Sequence, residues 1–157
     1  MEAGQRSNQI GFVLTGVFKI FFFDRKGNDI TRYFVAEDQF LVDLQSFNNE
    51  IRSGECIQAL TDAEIAILHK STFKRLIQEV EGFNAVVEKI TSEALLEKLY
   101  NRSELLNKDA KERYLHFMEK HPNLINRIPL GNLSSYLGIT QPSLSRIRKE
   151  IATKVRF

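Results

Sequence analysis

The hydrophobic pattern changes its period partway along the chain. Before residue 70, apolar residues fall in short runs rich in β-branched and aromatic side chains, separated by turn residues. Residues 10–23 predict one or two strands, with Gly16 as a break. Asp24-Arg-Lys-Gly-Asn28 predicts a hairpin turn, and residues 30–35 the strand that pairs back. Glu37-Asp38-Gln39 reads as another turn. Residues 56–60 and 64–68 read as short strands about a turn at Thr61-Asp62. Strands this short and regularly spaced predict an antiparallel barrel or jelly roll. Residues 1–9 are polar and carry no such pattern.

Beyond residue 70 the period becomes about 3.6. Ser71 is a plausible cap for a short helix over 72–78. A long helical run follows, from about 81 to about 106. Phe83, Val87, Ile90 and Ala94 recur along it at helical spacing, with Leu95, Leu99 and Leu106 beyond. A helix of about 25 residues spans roughly 40 Å, too long to be buried in so small a domain. Its apolar seam therefore predicts a helix–helix dimer in preference to packing on the strands. Asn107-Lys108-Asp109 breaks to a further helix over 110–120, with Tyr114, Leu115 and Met118 as its buried side. His121-Pro122-Asn123 ends it.

The most informative stretch is 130–147. Leu133 and Leu137 are i, i+4 on one short helix, and the small Ser134 permits close approach by a second. Gly138 stands where a helix ends at positive φ. Ile139 fills the corner. Thr140 caps the next helix, and Pro142 is tolerated in its first turn because its missing N–H had no intrahelical partner. Leu144 and Ile147 give that helix an inward face. Every special position of a helix-turn-helix is filled. The second helix also carries Gln141, Ser143, Ser145, Arg146, Arg148 and Lys149. Hydroxyls and cations suit phosphates, and Arg or Gln suits base edges in the major groove. The bland alternative is a solvated face on an ordinary helical hairpin. Glycine, capping threonine and core leucines all in register favour DNA.

Composition bounds this reading without changing it. The 157 residues suffice for one domain or two small ones, and 43% hydrophobic with 27% charged residues is ordinary for a globular protein. The net charge of +2 is unevenly spread. Residues 1–100 hold 11 Lys/Arg against 15 Asp/Glu; residues 101–157 hold 11 against 5. An acidic front and a basic back suggest an anionic partner at the back. Cys56 is the single cysteine, which excludes an internal disulfide and fits a reducing compartment. No apolar run approaches the roughly 20 residues of a membrane helix, and no signal-like segment opens the chain. The expected location is the cytoplasm, with no membrane partner.

An enzyme is not expected. His116 and His121 are five apart, which is not one helix face, and His69 stands alone, so neither a metal site nor an acid–base centre is read here. Cys56 lies in a strand pattern with no CxxC and reads as a small buried residue. There is no Gly-rich phosphate loop and no nucleophile elbow.

Strands, a long helix and a C-terminal helix-turn-helix together resemble the Crp–Fnr family of bacterial transcription regulators. The resemblance is carried by Gly11-Phe-Val-Leu-Thr-Gly16, Ile30-Thr-Arg-Tyr-Phe34, Phe40 with Asp43-Leu44 and Phe47, Ala59-Leu-Thr-Asp62, and Leu137-Gly-Ile-Thr140 through Ser145-Arg-Ile147. It implies an α+β chain in three parts. Residues 1–80 would form a partial antiparallel jelly roll of the cyclic-nucleotide-binding type, 81–107 a long dimerisation helix, and 108–157 a helix-turn-helix domain. It further implies a homodimer reading palindromic double-stranded DNA, with RNA polymerase as a further partner. By position, Gln141 and Arg146 would contact bases. Ser143 would hold a phosphate by the same match, and the chemistry of Thr140, Ser145, Arg148 and Lys149 adds them as phosphate contacts. Pro142 falls at a third base-contact position but has no side-chain donor.

Three departures qualify the resemblance. The family's ligand domain starts several strands earlier, which implies either a fragment or an incomplete barrel whose open edges invite pairing. The phosphate cassette is degenerate: Val42-Asp43-Leu44 replaces Gly-Glu-Leu, and Ser53 occupies the arginine position with Arg52 one residue early. A cyclic phosphate needs a fixed cation and backbone donors, so no cofactor is expected and a cyclic nucleotide is disfavoured. The iron–sulfur cluster of Fnr would need several cysteines. The chain stops soon after the recognition helix, leaving little for a β-hairpin wing. The alternative function is a ligand-sensing barrel whose helix-turn-helix docks protein and not DNA. A small cupin-like enzyme is a third option, disfavoured by the missing histidine cluster.

Overall fold

Residues 10–23 fold as two strands in two different sheets. The computed structural model describes residues 1–154, with every side chain in that span but those of Arg102, Leu105, Leu106 and Lys154. Leu106 of the expected seam and residues 155–157 of the expected C-terminal domain therefore lie outside the described residues. Strands β1 (Gln9–Thr15) and β2 (Phe18–Phe23) part at Gly16, which sits at φ 107°. A Cβ there would come within 2.4 Å of the Ala63 Cβ, so only glycine fits both the backbone and the space. The remaining strands are β3 (Asp29–Val35), β4 (Phe40–Leu41), β5 (Cys56–Ala59) and β6 (Glu64–His69). They form two antiparallel sheets in the orders β4-β1-β6 and β3-β2-β5. A short helix, α1 (Leu44–Asn49), follows β4. It is capped by the Asp43 carboxylate, which accepts from the Ser46 N–H at 3.0 Å.

The two sheets differ in what covers them. Val13 and Leu41 from one meet Phe18, Ile20 and Val35 from the other in a shared core. Phe34 of β3, with Val17 just before β2, enters a larger core with the C-terminal helices. The central strand β2 is buried on both faces, which explains the near-continuous apolar run Phe-Lys-Ile-Phe-Phe-Phe. It also buries Lys19, whose ammonium pairs with the Asp29 carboxylate and lies 4.1 Å from the Phe21 ring centre.

Helix α2 (Lys70–Glu79) begins one residue before Ser71 and has no side-chain cap, so the expected Ser71 cap is replaced by plain continuation from β6. Helix α3 (Phe83–Leu106) runs 24 residues. At 3.6 residues per turn its sides are distinct. Phe83, Lys98 and Asn101 fall on one side: Phe83 meets Phe73, Lys98 meets Tyr33, and Asn101 faces the C-terminal helices. Leu95, Leu96, Leu99 and Tyr100 fall on the other and are 57–66% exposed. The expected seam thus divides. Phe83 and Val87 are half-buried within the chain; Val86 and Ile90 are exposed, and the most exposed large apolar cluster, Leu95, Leu96, Leu99 and Tyr100, lies in the C-terminal half.

Asp109 then closes a reciprocal capping box with Glu112 and starts α4 (Ala110–Lys120). The buried residues of α4 are Tyr114 and Phe117, while Leu115 is 43% exposed, so the buried side is rotated from the expected one. Phe117 wins the interior because it stacks edge-on with both Phe34 of the sheet and Tyr136. No helix among the described residues is long and apolar enough to cross a membrane.

Candidate nucleic-acid interface

The two last helices, α5 (Leu130–Leu137) and α6 (Gln141–Lys154), are joined by only three residues. Gly138 takes φ 66°, and its N–H returns to the carbonyls of Ser134 and Ser135. The Leu137 carbonyl at the end of α5 accepts from Arg113 Nη1 at 2.7 Å. Thr140 Oγ1 accepts from the Ser143 N–H at 3.3 Å and lies 2.9 Å from the Ser143 hydroxyl, capping α6. Leu133, Leu137 and Leu144 are at most 1% exposed and lock the pair together. Burying three such side chains is worth roughly 1.5–3 kcal/mol each. The pair is held together by these leucines and tied back to α4 through Arg113.

Leu144, Ile147 and Ile151 turn α6 inward. One hundred degrees per residue then places Pro142, Arg146, Lys149 and Thr153 along the middle of the opposite side, with Ser145 beside them. All five are exposed. Arg146 and Lys149 make no side-chain ion pair among the described residues. Two cations and a hydroxyl thus stand free on a helix whose position is fixed from behind. Such a surface suits a polyanion with regular spacing.

The other predicted contact residues are placed differently. Arg148 turns inward, its Nε donating to the Tyr114 hydroxyl at 3.1 Å and its Nη2 to the Ile125 carbonyl at 3.3 Å. It ties α6 to α4 and to the segment before α5, and it does not share the face of Arg146. Ser143 is half-buried beside Thr140, where it completes the cap. Gln141 is exposed but its side chain lies over Gly131, where an added Cβ would stand 2.8 Å from Nε2. Gly131 is what leaves room for it.

The cassette residues fall at a separate place. A cavity of about 390 Å³ opens between the strand region and α3. Val42, Asp43 and Leu44 line it; Arg52 and Ser53 do not. Arg52 is exposed, and Ser53 is buried with its hydroxyl bonded to the Glu55 backbone. The cations in the cavity wall are instead Arg32 of β3 and Lys98 of α3. Arg32 Nη1 donates to Glu55 Oε1 at 2.8 Å, and the Lys98 ammonium sits 4.1 Å from the Tyr33 ring centre. Burial pushes the Glu55 carboxyl up and the Lys98 ammonium down, against the pull of nearby opposite charges. Burial, with Glu55 and Asp43 nearby, likewise pushes the Tyr33 phenol up. Arg32 and Tyr33 lie within one of the stretches that carry the family resemblance, but no periodicity marks Lys98 as a cavity residue. Among the described residues no group of three His, Cys, Asp or Glu is placed to hold a metal ion.

The sequence matches no protein-family model and no curated protein. The fold does match solved structures. FixK2 from Bradyrhizobium japonicum gives a TM-score of 0.79 at 16% identity, over 97% of this chain and 79% of that one. A Crp/Fnr-family transcriptional regulator from Thermus thermophilus gives 0.74 at 15% identity, over 98% and 81%. CLP from Xanthomonas campestris, described as a c-di-GMP-responsive global regulator, gives 0.72 at 16% identity, over 98% and 82%. At these identities the likeness is one of fold: two small antiparallel sheets with helices, arranged as in Crp/Fnr-type regulators.

Proposed function

We propose that the chain is a sequence-specific DNA-binding transcription regulator of the Crp/Fnr type. It would act as a homodimer, with α5 and α6 as the helix-turn-helix and α6 as the reading helix. The observation that carries this reading is the exposed Ser145–Arg146–Lys149 face on a helix braced from behind by Leu144, Ile147 and Arg148. Arg146, near the N-terminal end of α6, would reach a base edge; Lys149, Ser145 and Thr140 would hold phosphates. Arg148 and Ser143 would serve the brace and the cap. Leu95, Leu96, Leu99 and Tyr100 would form the seam with a second copy, since so wide an exposed apolar face calls for a protein partner. A dimer so joined carries two reading helices related by a two-fold axis, and so favours a palindromic site.

The barrel cavity would take the effector. Its wall pairs each cation with a carboxylate or an aromatic ring, and Asp43 and Glu55 would repel a cyclic phosphate. The effector would therefore be something other than a cyclic nucleotide. Fluorescence anisotropy against palindromic and random duplexes at two salt concentrations tests the reading. Tight binding that depends on both sequence and salt is expected. If no duplex binds even at low salt, α6 is a protein-docking surface instead.

A further inference from the structure

Where β3 meets α5, Phe34 packs on Tyr136, and beside that apolar contact stands one hydroxyl. Ser135 Oγ accepts from the Thr31 N–H at 3.0 Å and donates to the Asp29 carbonyl at 3.1 Å. Both groups belong to the backbone of β3, whose only strand neighbour among the described residues is β2. Ser135 thus stands where the next strand would, satisfying ladder groups that an edge leaves over. The joint is enclosed: Thr31 and Lys19 are each 4% exposed. Its polar atoms are incompletely matched, since Thr31 Oγ1 and Asp29 Oδ1 are buried with no hydrogen-bond partner among the described residues.

The same strand lines the cavity. Pairing with β2 runs Ile20 to Tyr33 and then Phe21 to Thr31, so Arg32 is an extra, bulged residue. A bulge raises local twist and re-aims the side chain it carries. Here it sends Arg32 over the Phe22 ring and onto Glu55. Adjacent residues of β3 therefore do two jobs: Arg32 and Tyr33 line the cavity, and Thr31 holds α5.

We propose that Ser135 is the positioning residue through which the barrel sets the placement of α6, and that the Arg32 bulge carries the state of the cavity to it. A ligand that takes Arg32 from Glu55 changes the bulge, and with it the direction of the Thr31 N–H. Because buried leucines hold α5 and α6 together, the reading helix shifts with Ser135. The functional consequence rests on the DNA reading of α6; the joint itself does not.

The test uses the full chain with Ser135→Ala, Ser135→Thr and Arg32→Gln. Amide hydrogen exchange at Thr31 reads the joint without DNA. Affinities for a palindromic duplex and for a single half-site read its consequence, because only the palindrome demands a set spacing of two helices. Ser135→Ala is expected to speed Thr31 exchange and to weaken palindrome binding, each about tenfold. Half-site affinity should stay within about twofold, and Ser135→Thr should restore both readings. Arg32→Gln should speed Thr31 exchange about threefold although it touches neither Ser135 nor DNA. Unchanged Thr31 exchange in Ser135→Ala, or equal losses on palindrome and half-site, overturns the positioning role. Silence of Arg32→Gln at Thr31 overturns the link to the cavity. If the unaltered chain binds no duplex while Thr31 responds as stated, the DNA reading fails and the joint stands.

Discussion

Helices α3 and α6 each leave one face without cover, and the two faces are chemically opposite. Leu95, Leu96, Leu99 and Tyr100 on α3 are apolar and more than half exposed. Ser145, Arg146 and Lys149 on α6 are polar or cationic. An apolar face gains by excluding water and asks for another protein. A cationic face keeps its water until it meets an anion, and asks for a polyanion. The backs of the helices differ as well. Behind α6 lies a core in which Leu133, Leu137 and Leu144 are nearly inaccessible. Behind α3 the contacts among the described residues are spread out, with Phe83 on Phe73 near one end and Lys98 on Tyr33 near the other. On the proposed reading, α6 has to be rigid in itself, whereas α3 would gain its rigidity from a second copy.

The contrast is broken most severely by removing the support of α6. Leu144→Ala should cost about 2–5 kcal/mol. Chemical denaturation should register the loss, and DNA binding should fall with it. A cost below about 1 kcal/mol would mean that the site can collapse and that α6 is less braced than its packing implies. Arg146→Ala leaves the brace alone. It should cost about 1–3 kcal/mol on the preferred duplex and much less on random sequence. Equal losses on both would reassign Arg146 to phosphate.

Gly138→Ala probes the turn between the helices. Its φ of 66° and the Arg113 guanidinium 3.3 Å from where a Cβ would stand both oppose a side chain. A loss of about 1–2 kcal/mol in stability is expected. Lys149→Ala is the mildest change on this face. It should weaken all sequences alike and reduce the salt slope by about 1.

The smallest effect concerns the far edge of the barrel joint. Glu37 receives two hydrogen bonds from Arg127, at 2.6 and 2.9 Å, and one from the Gly16 N–H. These hold its carboxyl down to about 2, with Arg127 as the main cause. The folded value lies below the unfolded one, so this stabilisation is complete above the ordinary carboxylate range and is lost as pH falls towards about 2. Glu37→Gln should therefore be less stable than the unaltered chain at pH 6, with the gap closing between about pH 4.5 and 2. A gap that persists at pH 2 would mean that packing, and not charge, is what the substitution removes.

What could be read from sequence and what could not divides along the range of the contacts. The α5–turn–α6 geometry was legible because its signals are local: Gly138 for positive φ, Thr140 for the cap, and leucines at helical spacing. Gly16 was legible as a break for the same reason. The inward turn of Arg148 was not, because its partners Tyr114 and Ile125 are 34 and 23 residues away. Nor was the burial of Lys19, which alternates as a solvent-facing strand residue would yet lies against Asp29 and the Phe21 ring. Leu115 and Phe117 both fit a helical period; Phe34, on a distant strand, decides between them. In the cavity, Lys98 comes from a helix that the pattern assigns wholly to a seam. The bulge at Arg32 exists only in the pairing of β2 with β3.

The central claim is that α6 reads DNA and that the exposed face of α3 pairs two copies to do so. It is tested most directly by an anisotropy titration with sedimentation of the same samples, comparing the unaltered chain with Leu95→Glu/Leu99→Glu on a palindromic duplex and on its half-site. The account predicts that the double variant sediments as a monomer, keeps its half-site affinity and loses the added affinity for the palindrome. A double variant that stays dimeric, or an unaltered chain that binds neither duplex at low salt, would contradict it.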